Sequence, residues 1–435
     1  MQGAIAAGHP LTAEAGARVL ANGGNCVDAC IGAAFAAAVV EGPLTGPAGG
    51  GFLLAWVDGE ATVLDCFFAA PSRPLGAMEE TVVDFGDAGT QVFHVGEGSV
   101  AVPGLVAGLE EAHSRLGTVP WAELAEPALE LAAAGSEKSD AQRTLHTILA
   151  AILLREEGGR RIYGGERIET AGFVHTLERV RDVRRAAVVE LLPELAADIL
   201  AYRVAAPEPI RTTVGGREVL TTPPPSRGGT IVAAALAGLA AATTLDGRAR
   251  ALRDGYAAAP IAVAGTTHIS AIDAAGNAAA LSSTLGSGSG LFRRGTQLNN
   301  MLGELDVIGV APPVPGARLP SMMTPTLVLE DGRPRLALGS AGSVRLAGAI
   351  AQVADAVLRG TPVAEAIDRP RIHVDGDLLH LEGGLTEAAP EGWTPVSWAG
   401  RNLFFGGVSA VERRPDGTLA AAGDPRRGGH GIVVS

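Results

Sequence analysis

The chain has 435 residues, a formal net charge of −13, and 47% hydrophobic but only 4% aromatic residues. The acidic balance argues against a nucleic-acid binder, whose affinity rests on Lys and Arg neutralising phosphates, and fits a cytoplasmic protein acting on a small molecule. With no basic segment leading into an apolar one and no uncharged apolar run near the roughly 18 residues of a membrane span, neither leader nor membrane anchor is expected.

In chain order, "LTAEAGARVLANGG" (11–24) reads as a helix closed by glycine, and "VDACIGAAFAAAVVEG" as a second helix, apolar all round and therefore buried. Cys26 and Cys30 on it, with Cys66, suit neither a disulfide framework nor a zinc site and read as small buried hydrophobes in a reducing compartment. The triplet Gly49-Gly50-Gly51 lacks the GK[ST] ending of a phosphate loop and reads as close packing before a hairpin, "FLLAWV" and "ATVLDCFF" about the turn Asp58-Gly59. A helix-rich middle follows, in which "RRIYGGERIET" and "LERVRDVRRA" read as a solvated charged arm. "TTPPPSRGGTIVAAALAGLAAA" is a loop entering another buried helix. Beyond position 266 come short strands ("TTHISAID", "NAAALSSTL", "TPTLVLED", "RPRLALG"), the helix "SVRLAGAIAQVADAVLRG", a short helix ending at Pro370, and a last hairpin in "VSAVERRPDGTLAAAGDPRRGG". Strands within and helices outside predict an α+β, layered αββα domain.

The chemistry concentrates at "AGTTHISAIDAAGNAAALSST". Asp273 to Asn277, with Gly276 available for positive φ, is good turn chemistry. A hairpin about it places Thr266 opposite Thr284 and His268 opposite Ser282. A Thr hydroxyl is a weak nucleophile without a base. The α-amine of an N-terminal Thr is such a base, with an ordinary pKa near 8, and a cut at Gly265–Thr266 would create one. Thr284 would then hold the amine or the hydroxyl. The competing reading is that Thr simply suits strands.

These blocks, together with "GHPLTAEAGARVLANGGNCVDA", "PAGGGFLL", "SVAVPGLVAGLEEAH", "PPPSRGG", "LNNMLGE", "PSMMTPT", "GSAGS" and "DPRRGG", resemble the γ-glutamyltranspeptidase family of N-terminal nucleophile hydrolases almost end to end. The resemblance implies a four-layer αββα sandwich made as one precursor, with residues 1–265 becoming a large subunit and 266–435 a small one that together form one domain. It implies autocatalytic cleavage at Gly265–Thr266, Thr266 as nucleophile, Thr284 as its support, and an oxyanion hole from the Gly342 and Ser343 N–H groups at the start of a helix, where free donors suit developing negative charge. These groups suffice for acyl chemistry, so no cofactor and no metal is expected. The oligomeric state stays open.

The substrate pocket departs from the family pattern. Phe67 stands where relatives grip the glutamyl α-carboxylate with Arg, and Phe68 replaces the following Glu. Gly286, Met301 and Met322 replace polar residues, while Ser321 and Glu304 remain as polar contacts. Losing a bidentate clamp costs several kcal/mol, on the scale of charged hydrogen bonds. The expected substrate is therefore not γ-glutamyl: an amide, or a C–C bond beside an α-keto acid as in antibiotic-pathway relatives. A true γ-glutamyl transferase or glutathione hydrolase is one alternative, and a non-catalytic ligand-binding relative is another.

Other motifs read as structural. "GSGSG" (286–290) matches a nucleophile elbow at Ser287 or Ser289 but lacks the following helix, and is expected to be a flexible loop over the pocket. His268, His373 and His430 read as structural histidines, and Asp424-Pro425-Arg426 as a fold-holding salt bridge.

Overall fold

Alanine-rich segments that are apolar on every side have no face to offer water, and the fold buries them between layers. The computed structural model describes residues 2–86, 89–258, 266–309, 311 and 313–435. It opens with strand β1 (Gly3–Ala7), helix α1 (Pro10–Ala21) and helix α2 (Cys26–Val40). Asn25 caps α2 in a capping box with Asp28. The first hairpin is β2 (Gly50–Val57) and β3 (Glu60–Cys66), its turn carried by positive φ at Asp58 and Gly59. Helices α3 (Leu105–Leu116), α4 (Trp121–Ala134) and α5 (Asp140–Ile148) follow. After them come strands β4 (Ile210–Val214) and β5 (Arg217–Thr221) and helices α6 (Gly228–Ala241) and α7 (Leu245–Ala257). The last part of the chain holds β6 (Thr267–Asp273), β7 (Ala278–Thr284), β8 (Thr326–Glu330), β9 (Arg333–Ala341), α8 (Leu346–Leu358), β10 (Gly407–Arg413), β11 (Leu419–Gly423) and β12 (His430–Val434).

Two antiparallel six-stranded sheets result, in the orders β12-β1-β6-β7-β2-β3 and β11-β10-β9-β8-β5-β4. Their facing sides meet in a core of Ala4, Leu54, Ile272, Ala280, Leu327 and Val411 among others. Helices α1 and α2 cover the outer face of the first sheet, and α6, α7 and α8 that of the second. This is the expected αββα sandwich. Both sheets draw strands from before and after position 266, so β6 and β7 lie between β1 and β2 in the first.

Two expectations change. The charged middle is not merely a solvated arm, because Ile162, Tyr163, Leu177 and Val180 are buried while its arginines pair outward. The helix expected from Ser343 begins as a 3₁₀ turn, Ser343–Arg345, and becomes α-helical only at Leu346. The three cysteines are free and buried, and burial pushes the Cys66 thiol up to about 12. Among the described residues no helix is long and apolar enough to cross a membrane.

Candidate active site

The β6–β7 register is set by its turn: Asp273 accepts from the Asn277 N–H at 3.0 Å, and Gly276 takes φ +85°. Thr267 then pairs with Ser283 and His268 with Ser282, and one further step brings Thr266 level with Thr284. Both threonines are buried. They line one narrow cavity with Phe67, Ser321, Met322, Met323, Ser343 and Leu346. Gly265, the other half of the expected cleavage site, lies outside the described residues.

Phe67 is fixed by its backbone. Asp65 accepts from its N–H at 2.9 Å, and its carbonyl accepts from the Arg318 guanidinium at 3.0 Å and from the Tyr202 hydroxyl. The ring stacks on Phe52 at 5.5 Å and meets the Phe68 edge at 4.9 Å, within an apolar cluster that includes Met301. Arg318 does not restore the missing clamp, since it is engaged with Asp65, Tyr202 and the Phe67 and Arg203 carbonyls. The Ser321 hydroxyl oxygen accepts from the Met323 N–H at 3.0 Å and shapes the turn carrying Met322.

Gly286, Met301 and Glu304 are brought together, but behind Thr284 rather than on the cavity wall. The Gly286 N–H donates to Thr284 Oγ1 at 2.8 Å, and Glu304 accepts from the Ser287 N–H at 2.9 Å. Gly286 has φ +70°, and a Cβ there would fall 2.2 Å from Asn300 Oδ1. One Glu304 oxygen thus supports the backbone of this turn. The 286–290 segment is likewise no flexible cover, for Ser287 and Ser289 are buried and the Ser289 hydroxyl donates to the Leu298 carbonyl at 3.0 Å. A two-residue strand, Phe292–Arg293, follows it instead of a helix.

Gly342 and Ser343 form the turn between β9 and the 3₁₀ segment, both with positive φ (+129° and +62°). A Cβ on Gly342 would lie 2.6 Å from the Gly406 Cα. The turn thus seats Ser343 at the cavity by packing one glycine on another.

A second cavity also has Thr266 on its wall. On its wall is Glu41, which sequence reading missed. Thr12 and Thr267 donate to its carboxylate at 2.7 and 2.6 Å; burial pushes its pKa up and these two bonds pull it back. The signal was available: an acidic residue ending an apolar helix opposes the helix dipole and needs a reason. His268, on the same wall, has Ser282 and Ser270 hydroxyls on its two ring nitrogens at 2.8 Å. Burial holds its pKa down at about 3, so it stays neutral and structural. His373 is buried against Tyr256, and His430 is exposed on β12. Asp424, Arg371, Arg426 and Glu382 form a buried ion network. Gly50 belongs to packing too, since a Cβ there would lie 2.8 Å from the Phe68 ring. Among the described residues no group of His, Cys, Asp or Glu is arranged to hold a metal ion.

A profile of the gamma-glutamyltranspeptidase family matches residues 12–186 and 243–434. The chain is 26% identical to the acylase ACY 1 proenzyme of Pseudomonas sp. (strain SE83), covering 100% of this chain and 94% of that protein. It is 28% identical to the glutathione hydrolase proenzyme of Pseudomonas aeruginosa, covering 99% and 94%. Among solved structures, a cephalosporin acylase from Bacillus halodurans superposes with a TM-score of 0.81 at 19% identity, covering 99% of this chain and 95% of that one; this likeness speaks to the fold.

Proposed function

We propose, from the premise that the chain belongs to the gamma-glutamyltranspeptidase family of N-terminal nucleophile hydrolases, that it is a self-processing acylase whose nucleophile is Thr266. The observation that carries this is Thr266 and Thr284 side by side on a cavity bounded by the Gly342–Ser343 turn. In maturation, Thr266 Oγ1 attacks the Gly265 carbonyl carbon, the acyl group passes from nitrogen to oxygen, and water hydrolyses the ester. The products are a large chain ending at Gly265 and a small chain whose first residue carries a free amine. In turnover that amine accepts the Oγ1 proton as the oxygen attacks the substrate carbonyl. Negative charge on the carbonyl oxygen is met by the Gly342 and Ser343 N–H groups. The ammonium then protonates the leaving group, and water releases the acyl product.

The wall of Phe67, Met322, Met323 and Leu346 favours an apolar acyl group. The acylase named among the relatives supports amide cleavage. The same attack serves a C–C bond beside an α-keto group, with the carbanion as leaving group. Glutathione hydrolysis, named for another relative, is opposed by Phe67 and by the engagement of Arg318.

Denaturing electrophoresis with intact-mass analysis tests the proposal. Wild-type protein is expected as two chains of about 265 and 170 residues split at Gly265–Thr266, and Thr266→Ala as one. An uncut wild-type chain sinks self-processing and leaves a ligand-binding relative. Matured protein is also expected to turn over γ-glutamyl p-nitroanilide at the background rate. Robust activity on it would show that Phe67 does not set the specificity.

A further inference from the structure

The second cavity holds a guanidinium that, among the described residues, forms no salt bridge. Its wall holds Thr266, apolar Leu44, Leu145 and Leu403, and the ionisable residues Glu41, His268, Asp424, Arg426 and Arg427. All but one of these are satisfied. Both Glu41 oxygens accept from threonines, and His268 is held between two serines. Asp424 is paired with Arg371 and Arg426, and Arg426 also with Glu382. Among the described residues Arg427 makes no salt bridge. It donates from one Nη to the Leu403 carbonyl at 3.1 Å, and its Nε is buried without a partner. Burial and neighbouring Arg345 lower its pKa to about 10 against the pull of Asp424, whose oxygens are already committed to Arg371 and Arg426, so it remains a cation at neutral pH.

The backbone makes room for this arginine. Its stem crosses Gly407, where a Cβ would come within 2.5 Å of Cδ, and its Nη2 lies 3.7 Å from the point a Cβ on Gly342 would occupy. A guanidinium is thus held beside the proposed oxyanion turn, on the wall of a cavity that opens to solvent. A largely buried cation that shares its nearest carboxylate with two other arginines costs stability unless a ligand adds negative charge.

We propose that Arg427 makes this second cavity the subsite for an anionic end of the substrate, a carboxylate on an apolar body. The assignment rests on Thr266 being the nucleophile, since that residue joins the two cavities. The positive charge absent at Phe67, which lines the first cavity, is then supplied in the second, so that substrates carry their charge at a different place from γ-glutamyl donors.

The test is calorimetric titration with 4-phenylbutyrate and its uncharged isostere 4-phenylbutanamide, on wild-type protein and on Thr266→Ala. The acid is expected to bind at least about tenfold more tightly than the amide, the difference one lost charged hydrogen bond makes. Added salt should narrow the gap. Arg427→Gln should abolish it and Arg427→Lys keep part of it. Equal affinity of acid and amide for wild-type protein, or no saturable binding of the acid in the millimolar range, overturns the subsite whatever the variants do. Self-cleavage with equal binding removes the subsite alone. Acid-selective binding to a wild-type chain that never cleaves keeps the anion site and removes the nucleophile.

Discussion

Gly342→Ala is expected to lower both self-cleavage and turnover by about a hundred- to a thousandfold, the loss that follows removal of one oxyanion donor. The glycine is dictated twice. Its φ of +129° is strained for any L side chain, and a Cβ would press 2.6 Å from the backbone of Gly406, which cannot rotate away. The turn must therefore shift, and the N–H groups of 342 and 343 shift with it. Donors act only when about 3 Å from where the charge develops, so a sub-ångström displacement suffices. The rate of fragment appearance by mass spectrometry, with a thermal melt to confirm folding, measures this. Ser343→Ala is the control, because it keeps the N–H and leaves the turn in place; near wild-type cleavage is expected. A folded Gly342→Ala protein that matures at the wild-type rate would refute the oxyanion role.

Arg426→Met is expected to cost about 3–5 kcal/mol of unfolding free energy, the scale for breaking a buried ion pair from one side. Arg426 binds both oxygens of Glu382, at 2.7 Å through Nε and 2.6 Å through Nη2, and Asp424 at 3.1 Å. All three side chains are essentially inaccessible to water. Removing the guanidinium strands a carboxylate that cannot be rehydrated. It also frees the carbonyls of Ile367 and Arg369, which the same side chain caps. Urea titration of wild type, Arg426→Met and the double variant Arg426→Met/Glu382→Leu separates these terms. The double variant should recover part of the loss, since no charge is left alone. A loss below about 1 kcal/mol, the value of an exposed pair, would show that the network is peripheral to stability. The network also anchors the turn that presents Arg427.

The elements were legible where local chemistry overdetermines them. Asp273, Gly276 and Asn277 permit one tight turn, and that turn sets the register placing Thr266 level with Thr284. The all-apolar α2 had only one place to go. Legibility failed where a side chain's role depends on distant partners. Glu304 reads only as a polar member of a pocket-forming block, and the sequence does not show that one of its oxygens holds the Ser287 backbone. Glu41 went unread at the end of an apolar helix, because its meaning comes from Thr12 and Thr267, the second of them 226 residues away. "GSGSG" suggested mobility by composition, but Asn300 and Glu304 pin it. The charged middle misled in the other direction, because its buried face is sparse and its arginines numerous.

The neighbouring strands β1 and β12 bring the two ends of this chain together: the Gln2 N–H donates to the Val434 carbonyl at 2.8 Å, and Gly3 stands opposite Val434. A short linker from Ser435 to Gln2 would span that gap without crossing the sheet. The gene can then be opened at Thr266 instead, giving a circular permutant that begins Met-Thr266 and ends at Gly265. Removal of the initiator methionine would expose the threonine amine with no self-cleavage at all. Maturation and turnover, both assigned to one hydroxyl in the function proposed above, would become separable events in a single polypeptide.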